Sequence, residues 1–453
     1  LSSSSAASDV YKRQSLGCSK NLVDTEMMVG ILEKDGYKMV DDLDDAQVIF
    51  VNTCTFIDAA KEESIQTILQ AAEYKKSGIC EKLVVAGCLA QQYKKSLSAE
   101  LPEVDIFIGT ESWQLISEAL KESYAEQGEN VFKFNMKPCN NEESMPREIL
   151  TPKYSAYVKI AEGCSNGCTF CYIPYVRGPM RSRPVASIVH EVRRLAADGV
   201  REFNLIAQDL SCYGRDLSEP ASLAKLLKEL VRIEGVKRIR LFYLYPTYFD
   251  DELLQIILTE PKICKYVDIP LQHISNNVLK RMNRKDSTES IRELLSKIRS
   301  SSPRMTVRTT LMVGFPGETD QDFQELCDFI KEVKFDDMGA FMFSPQEGTP
   351  AAGMADQIPE EVKESRYHEL MSIQAGISEE NNENLIGTET EVLVEELIDT
   401  GDGNIQAKGR ASFQAPEVDG NVYIDQPDDL QPGDFVNVKI VDGYAYDLIG
   451  EKI

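Results

Sequence analysis

YVKIAEGCSNGCTFCYIPYVRG, residues 157–178, is the stretch on which the reading of this 453-residue chain turns. It opens as an apolar run suited to a strand and continues into three cysteines spaced CxxxCxxC, Cys164, Cys168 and Cys171. Three thiolates on one short loop can hold three irons of a [4Fe–4S] cluster and leave the fourth iron without a protein ligand. A structural zinc site would want four closed ligands, often in CxxC pairs, and no fourth Cys or His lies nearby in the sequence. The open iron matters chemically, because an amine and a carboxylate of one small molecule can chelate it. Phe170, just before the last cysteine, suits either of two roles: a plug over the cluster or a flat face for an adenine.

Working outward, six strand-like runs occupy residues 156–161, 202–207, 238–243, 266–269, 306–313 and 339–343. Helical stretches such as 185–197, 223–233, 289–300 and 320–333 separate them. Six βα units in a row predict a full or partial barrel with its chemistry at the C-terminal ends of the strands. By that position Gln208 and Asp209 after the second strand, Arg308 in the fifth and Gly314 at its end are candidates for cofactor or substrate contact. Polar residues at strand ends can equally satisfy loop backbone. His273 also ends a strand (VDIPLQH) but reads as a structural histidine, and His190 and His368 stand alone.

The region before residue 145 alternates in the same way, with apolar runs at 48–53, 83–87 and 106–109 and helical segments at 22–34, 59–76, 89–98 and 113–122. This predicts an open parallel α/β sheet with right-handed crossovers. Cys18 in SLGCSKN, Cys54 in VNTCTF and Cys88 in AGCLA each close a candidate strand just before a helix. That edge of an open sheet gathers ligands, and helix N-termini there stabilise thiolates. Any one of these could be a small apolar filler. Three repeats of the placement point to a second three-thiolate cluster. Cys80, Cys139, Cys212, Cys264 and Cys327 show no such placement and read as packing or surface thiols.

Residues 388–453 change character, with short strands broken by Gly, Asp and Pro, and predict a small antiparallel β-barrel. The organisation expected is therefore a tail at 1–14, an α/β domain at 15–137, a linker at 138–152, a partial barrel with a helical connector at 153–386, and the small barrel at 387–453. The tail, LSSSSAASDVYKRQ, is serine-rich and aperiodic and is read as artefactual or disordered. A formal charge of −25 argues against a chain that grips nucleic acid mainly through phosphates. No apolar run is long enough to span a membrane. Eleven cysteines, an odd number in a long chain, read as reduced thiols of a cytoplasmic protein.

With SLGCSKNLVDTE, VNTCTFIDAAKEESI, YLYP, VDIPLQHISNNVLKRMNR, RTTLMVGFPGET, FSPQEGTPA and APEVDG in this order, residues 15–453 resemble the radical S-adenosylmethionine methylthiotransferases. The likeness is to the branch that methylthiolates an aspartate of small-subunit ribosomal protein twelve. It departs from the family at the N-terminus, where a first strand should precede SLGC. The resemblance implies two [4Fe–4S] clusters, one on Cys164, Cys168 and Cys171 and an auxiliary one on Cys18, Cys54 and Cys88, with S-adenosylmethionine as cosubstrate. It implies reductive cleavage to a 5′-deoxyadenosyl radical, hydrogen removal from the aspartate β-carbon, and transfer of methylated sulfur from the auxiliary cluster. It further implies an electron donor such as flavodoxin or ferredoxin and a monomeric enzyme. A sister branch modifies an adenosine in tRNA. The C-terminal TRAM region, with fifteen Asp and Glu against four Lys and Arg (net −11), suits a basic protein better than RNA. A non-catalytic iron–sulfur redox protein is the alternative from another class.

Overall fold

The computed structural model describes residues 9–12, 16–77, 79–125, 128–134, 142–401, 404–425, 427 and 429–453. Its N-terminal sheet is parallel at every pairing. The strands are β1 (Asp9–Lys12), β2 (Lys38–Val40), β3 (Val48–Thr53), β4 (Lys82–Gly87), β5 (Ile106–Ile108) and β6 (Val131–Lys133), in the spatial order β2-β1-β3-β4-β5-β6. Helices cover both faces of the central strands. β3 is buried at all six positions, which is why VIFVNT runs apolar without alternating.

β1 corrects the reading of the first fourteen residues. Asp9–Lys12 run parallel between β2 and β3 and supply the first strand that the sheet requires. An empty slot there would leave two rows of backbone donors and acceptors unpaired. The rest of that segment lies outside the described residues, as does Cys139. Leu16 follows, buried, with its amide donating to the Asn52 carbonyl at the end of β3.

The central domain is built on β7 (Ser155–Lys159), β8 (Ala161–Glu162), β9 (Arg181–Ser182), β10 (Glu202–Ile206), β11 (Arg238–Leu241), β12 (Tyr266–Asp268), β13 (Thr306–Val313) and β14 (Asp337–Met342). Six of them are parallel, in two three-stranded pieces, β7-β10-β11 and β12-β13-β14. A parallel bridge between Ile239 and Ile263 joins the pieces, so the barrel is partial and β7 and β14 are its edges. β8 and β9 pair antiparallel and bracket the cysteine loop between them. Amphipathic helices close the outer face; Leu223–Leu230, for example, is capped by Ser222 and buries Leu223, Leu226, Leu227 and Leu230.

The stretch expected to be a linker is welded to both neighbours where it is described. Arg147 is fully buried and hydrogen-bonds Glu26 of the N-terminal helix Ser19–Lys34 and Glu191 of the helix Val185–Ala197. Gly30 lets this segment approach, since a Cβ there would lie 2.6 Å from the Pro146 carbonyl carbon.

Beyond the long helix Glu360–Glu383, β15 (Glu389–Asp399), β16 (Ile405–Ala411), β17 (Val422–Asp425), β18 (Phe435–Gly443) and β19 (Leu448–Lys452) close a barrel in the order β15-β16-β17-β19-β18. Four of the five pairings are antiparallel; β17 and β19 run parallel, because β19 inserts between β17 and β18 to seal the barrel. Inside sit Val392, Val394, Ala407, Val422, Ile424, Val438, Ile440 and Leu448. The barrel docks on the partial barrel through buried polar groups. Arg410 bonds Glu202 at 2.7 Å, and Asp419 accepts from the Tyr266 hydroxyl at 2.8 Å and from Arg308 Nε at 3.1 Å. Among the described residues, no helix is long and apolar enough to cross a membrane.

Candidate functional site

The auxiliary thiols come from three neighbouring strand ends. Gly17 turns the chain at φ +85 and brings Cys18 to the start of the helix Ser19–Lys34. A Cβ on Gly17 would lie 2.5 Å from Cys54 Cβ, so only glycine admits this approach. Cys54 follows β3, and Ser64 fixes its backbone by accepting from the Cys54 amide at 3.1 Å and donating to the Cys54 carbonyl at 3.0 Å. Cys88 begins the helix Cys88–Tyr93 directly after β4, with Thr53 Oγ1 donating to the Ala86 carbonyl and accepting from the Leu89 amide. Asn21 ties these loops together. Its amide nitrogen donates to the carbonyls of Leu16 and Thr53, each at 2.9 Å, while its oxygen faces Cys88 Sγ at 3.9 Å and accepts from Arg177.

The second triad lies on the loop between β8 and β9. Gly163, at φ +78, passes so close to the Pro179 carbonyl that a Cβ would meet it at 2.3 Å, and the Cys164 amide donates to the Gly178 carbonyl. Thr169 anchors the middle of the loop, its amide donating to Met282 O and its hydroxyl to Arg281 O. Asn283 donates to Gly167 O, and Asn166 donates to Asp209 at 2.7 Å. The loop is thus clamped from the far side of the partial barrel.

All six cysteines line one cavity of about 370 Å³, enclosed between the N-terminal sheet edge and the C-terminal ends of the barrel strands. Its apolar walls include Phe56, Phe170, Tyr172, Ile173, Val176 and Phe341. Burial pushes the Cys54 and Cys168 thiols up, Cys88 and Cys171 to about 12 and Cys164 to about 11, with Arg177 partly opposing the rise at Cys88. Without iron they are neutral thiols, so iron loading releases protons. Among the described residues, no three His, Cys, Asp or Glu side chains gather around the position of a single ion. A [4Fe–4S] cube does not ask for that, because each thiolate takes a different iron. Two sets of three soft thiolates, on short loops with backbone donors nearby, fit two such clusters.

Of the other residues singled out in the sequence, Phe170 and Gln208 line the cavity. Phe170 also packs edge-on against Phe315, with ring centroids 6.4 Å apart. Gln208 donates to Glu162 at 2.8 Å, and its own carbonyl oxygen has no partner. Three candidates are placed elsewhere. Asp209 is turned back to satisfy the cysteine loop and Ser211. Arg308 does not line the cavity; Asp268 at 3.3 Å and Asp419 of the small barrel at 3.1 Å hold it. Gly314 sits beneath Lys363, whose Cγ would be 2.3 Å from an added Cβ. Strand-end position alone does not settle which way a side chain faces. His273 is fully buried; its Nδ1 accepts from the Ser275 amide, and burial lowers its pKa to about 3, consistent with a neutral structural role.

Several lining residues escaped sequence reasoning: Lys20, Arg177, Tyr243, Gln272 and Arg284. Lys20 and Arg177 flank the two cysteine motifs, and that proximity was the available signal. Arg177 bridges the domains, pairing with Glu162 at 3.0 Å and with Asp24 at 3.2 Å.

Three segments match known families: Uncharacterized protein family UPF0004 over residues 11–109, the Radical SAM superfamily over 158–330 and the TRAM domain over 386–453. The ribosomal protein uS12 methylthiotransferase RimO of Geobacter sulfurreducens is 49% identical over 455 residues, covering 99% of this chain and all of its relative. The chain belongs to the uS12 methylthiotransferase family. The Clostridioides difficile member is also 49% identical, over 97% of this chain and 98% of its own. Among solved structures, the radical S-adenosylmethionine methyltransferase TsrM of Kitasatospora setae, with cobalamin and a [4Fe–4S] cluster bound, superposes with a TM-score of 0.56 at 14% identity, covering 76% of this chain and 73% of that one. The cobalamin-dependent enzyme OxsB gives 0.52 at 12% identity, over 82% and 56%. These two likenesses are of fold alone.

Proposed function

We propose that this chain transfers a methylthio group to the β-carbon of an aspartate in ribosomal protein uS12. The observation that carries the reading is that two cysteine triads, contributed by two domains, open into one cavity. When bound, the clusters supply the electron that cleaves S-adenosylmethionine and the sulfur that is inserted. The chain's own residues do the rest. Cys164, Cys168 and Cys171 hold the first cluster and leave one iron open to an amine and a carboxylate. Cys18, Cys54 and Cys88 hold the second, and Asn21 and Arg177 fix its loops against the partial barrel. Phe170, Phe56 and Phe341 keep water from a carbon-centred radical. The donor of electrons in this reading is a flavodoxin or ferredoxin, and the enzyme works as a monomer with the three-domain division described above.

The small barrel is the docking surface for the basic substrate protein. Glu391 and Asp419 lie against arginines of the partial barrel and Glu395 against Arg410 of the small barrel itself, but Glu389, Glu396, Asp399, Asp425, Asp442 and Glu451 remain exposed. Such a surface attracts a basic protein and repels RNA phosphates. The deciding experiment is coexpression of the chain followed by mass spectrometry of ribosomal proteins and tRNA. A methylthio adduct on uS12 is expected; an adduct on tRNA alone would overturn the reading. Formation of 5′-deoxyadenosine in anaerobic reconstitution separates the enzyme from a redox carrier.

A further inference from the structure

Among the described residues, the cavity walls carry three cations, Lys20, Arg177 and Arg284, and no Asp or Glu, within a chain of formal charge −25. Two of the cations are already neutralised, Arg177 by Glu162 and Asp24, and Arg284 by Asp286 at 3.3 Å. Lys20 is not. It is 5% exposed, and among the described residues no carboxylate pairs with it. Its ammonium lies 3.4 Å from the ring centroid of Tyr243. That ring is held in place by a left-handed turn, φ +61, and by the Tyr243 amide donating to Asp268. A ring face offsets only part of the cost of burying an ammonium, and Cys18, Glu162 and Asp268 act on it without a direct ion pair, so the ammonium keeps a position open for a paired anion. A second buried group points the same way. Gln272, 9% exposed and at φ +70, presents a side-chain oxygen without a partner, an acceptor for an N–H of the incoming chain.

We propose that Lys20 receives the side-chain carboxylate of the substrate and so makes an acidic residue the group that is modified. The inference rests on the methylthiotransferase reading and deepens it. S-adenosylmethionine brings its own carboxylate to the open iron of the Cys164 loop, whereas Lys20 belongs to the N-terminal domain, two residues from Cys18. In an aspartate the reacting β-carbon is bonded directly to the carboxyl carbon, so anchoring one places the other beside the sulfur source. An adenosine offers this ammonium nothing comparable. Lys20 is thus a specificity-determining residue and takes no part in bond breaking.

The test uses the reconstituted two-cluster protein with S-adenosylmethionine and two forms of the substrate protein, one with its modified aspartate and one with asparagine in its place. The unaltered chain should bind the aspartate form about ten- to a hundredfold more tightly, the range for a charge-assisted hydrogen bond in a buried site. Lys20→Met, close in length and apolar, should bind both forms alike, and Lys20→Arg should recover part of the preference. Paramagnetic resonance of both reduced clusters in each variant shows that folding and loading are intact. Preference retained in Lys20→Met overturns the proposal. So does retained preference with a shifted auxiliary-cluster potential, which would make Lys20 a neutraliser of that cluster. If the unaltered chain modifies tRNA and never the substrate protein, the underlying reading fails; if it modifies the protein while Lys20→Met still discriminates, only this inference does.

Discussion

Replacing Gly17 with alanine should remove one cluster and spare the other. Two costs act at that position. A non-glycine residue at φ +85 carries about 1–2 kcal/mol of backbone strain. The added methyl also lies 2.5 Å from Cys54 Cβ and 2.6 Å from Cys54 Sγ, and overlap of this kind typically costs about 1–3 kcal/mol. The sulfur can swing away, but Cys54 Cβ is fixed by its backbone, which Ser64 holds on both sides. The total, about 2–5 kcal/mol, falls on two short loops at the edge of the N-terminal sheet and is relieved if Cys18 and Cys54 separate. Gly36→Ala is the matched control, because Gly36 sits at φ +94 with nothing within 4 Å of the added atom. Iron and sulfide content after anaerobic reconstitution should drop by one cluster in Gly17→Ala and stay unchanged in Gly36→Ala. Cleavage of S-adenosylmethionine should persist in both, while methylthiolation disappears from the first alone. A Gly17→Ala protein with full iron and an unaltered melting temperature would refute the argument, as would equal iron loss in the two variants.

Cys54→Ala should retain 5′-deoxyadenosine formation and lose sulfur insertion, whereas Cys168→Ala should lose both, as read by chromatography of the anaerobic reaction. Arg410→Met leaves Glu202 fully buried with its shortest ion pair gone, and breaking such a pair typically costs about 3–5 kcal/mol. Arg238 and Arg240, each 3.7 Å from Glu202, soften the loss, so early release of the small barrel in limited proteolysis is the sensitive readout. Burial would raise the pKa of Glu191, but Arg183 and Arg147 outweigh it and hold the carboxyl at about 2. A depressed carboxylate stabilises the fold above its unfolded value near 4.3, and this contribution fades as pH falls from there toward about 2. Urea midpoints of the apo chain should therefore fall more steeply with acidification than those of Glu191→Gln.

The α/β alternation, the six βα units and the closing barrel were legible because buried parallel strands announce themselves as unbroken apolar runs such as VIFVNT and TVRTTLMV. The six cysteines were legible because a three-thiolate site needs a residue type that is rarely spent on loops. What the sequence concealed was direction and contact. Arg308 and Gln208 are both polar and both near strand ends, yet one seats the small barrel and the other lines the cavity. That difference follows from strand pleat and from where the terminal domain docks. β1 was hidden by a serine-rich neighbourhood in which four residues carry no period of their own; its place is set by the gap between β2 and β3. Arg147 was read as linker because a polar, proline-bearing segment looks the same whether it is solvated or locked between Glu26 and Glu191.

Bringing a sulfur source to a substrate radical requires two cluster sites that neither drift apart nor touch, and the interface between the domains shows how this is achieved. Lys159 at the end of β7 pairs with Asp24 at 2.8 Å and with Glu162 at 3.0 Å, while Arg177, at the end of the helix Ile173–Arg177 inside the cysteine loop, pairs with the same two carboxylates. Asp24 lies on the helix that begins at Cys18, and Glu162 stands two residues before Cys164. The two cations and two carboxylates therefore connect the backbone of one triad to the backbone of the other, and of the four only Arg177 reaches the cavity wall. Buried ion pairs of this type add little net stability, but removing one member is costly, so the arrangement resists sliding more than it promotes folding. Sliding the N-terminal domain by one helical turn would uncouple all four groups at once. The charge network thus fixes the spacing between the two thiol sets and leaves the cavity walls largely apolar and cationic.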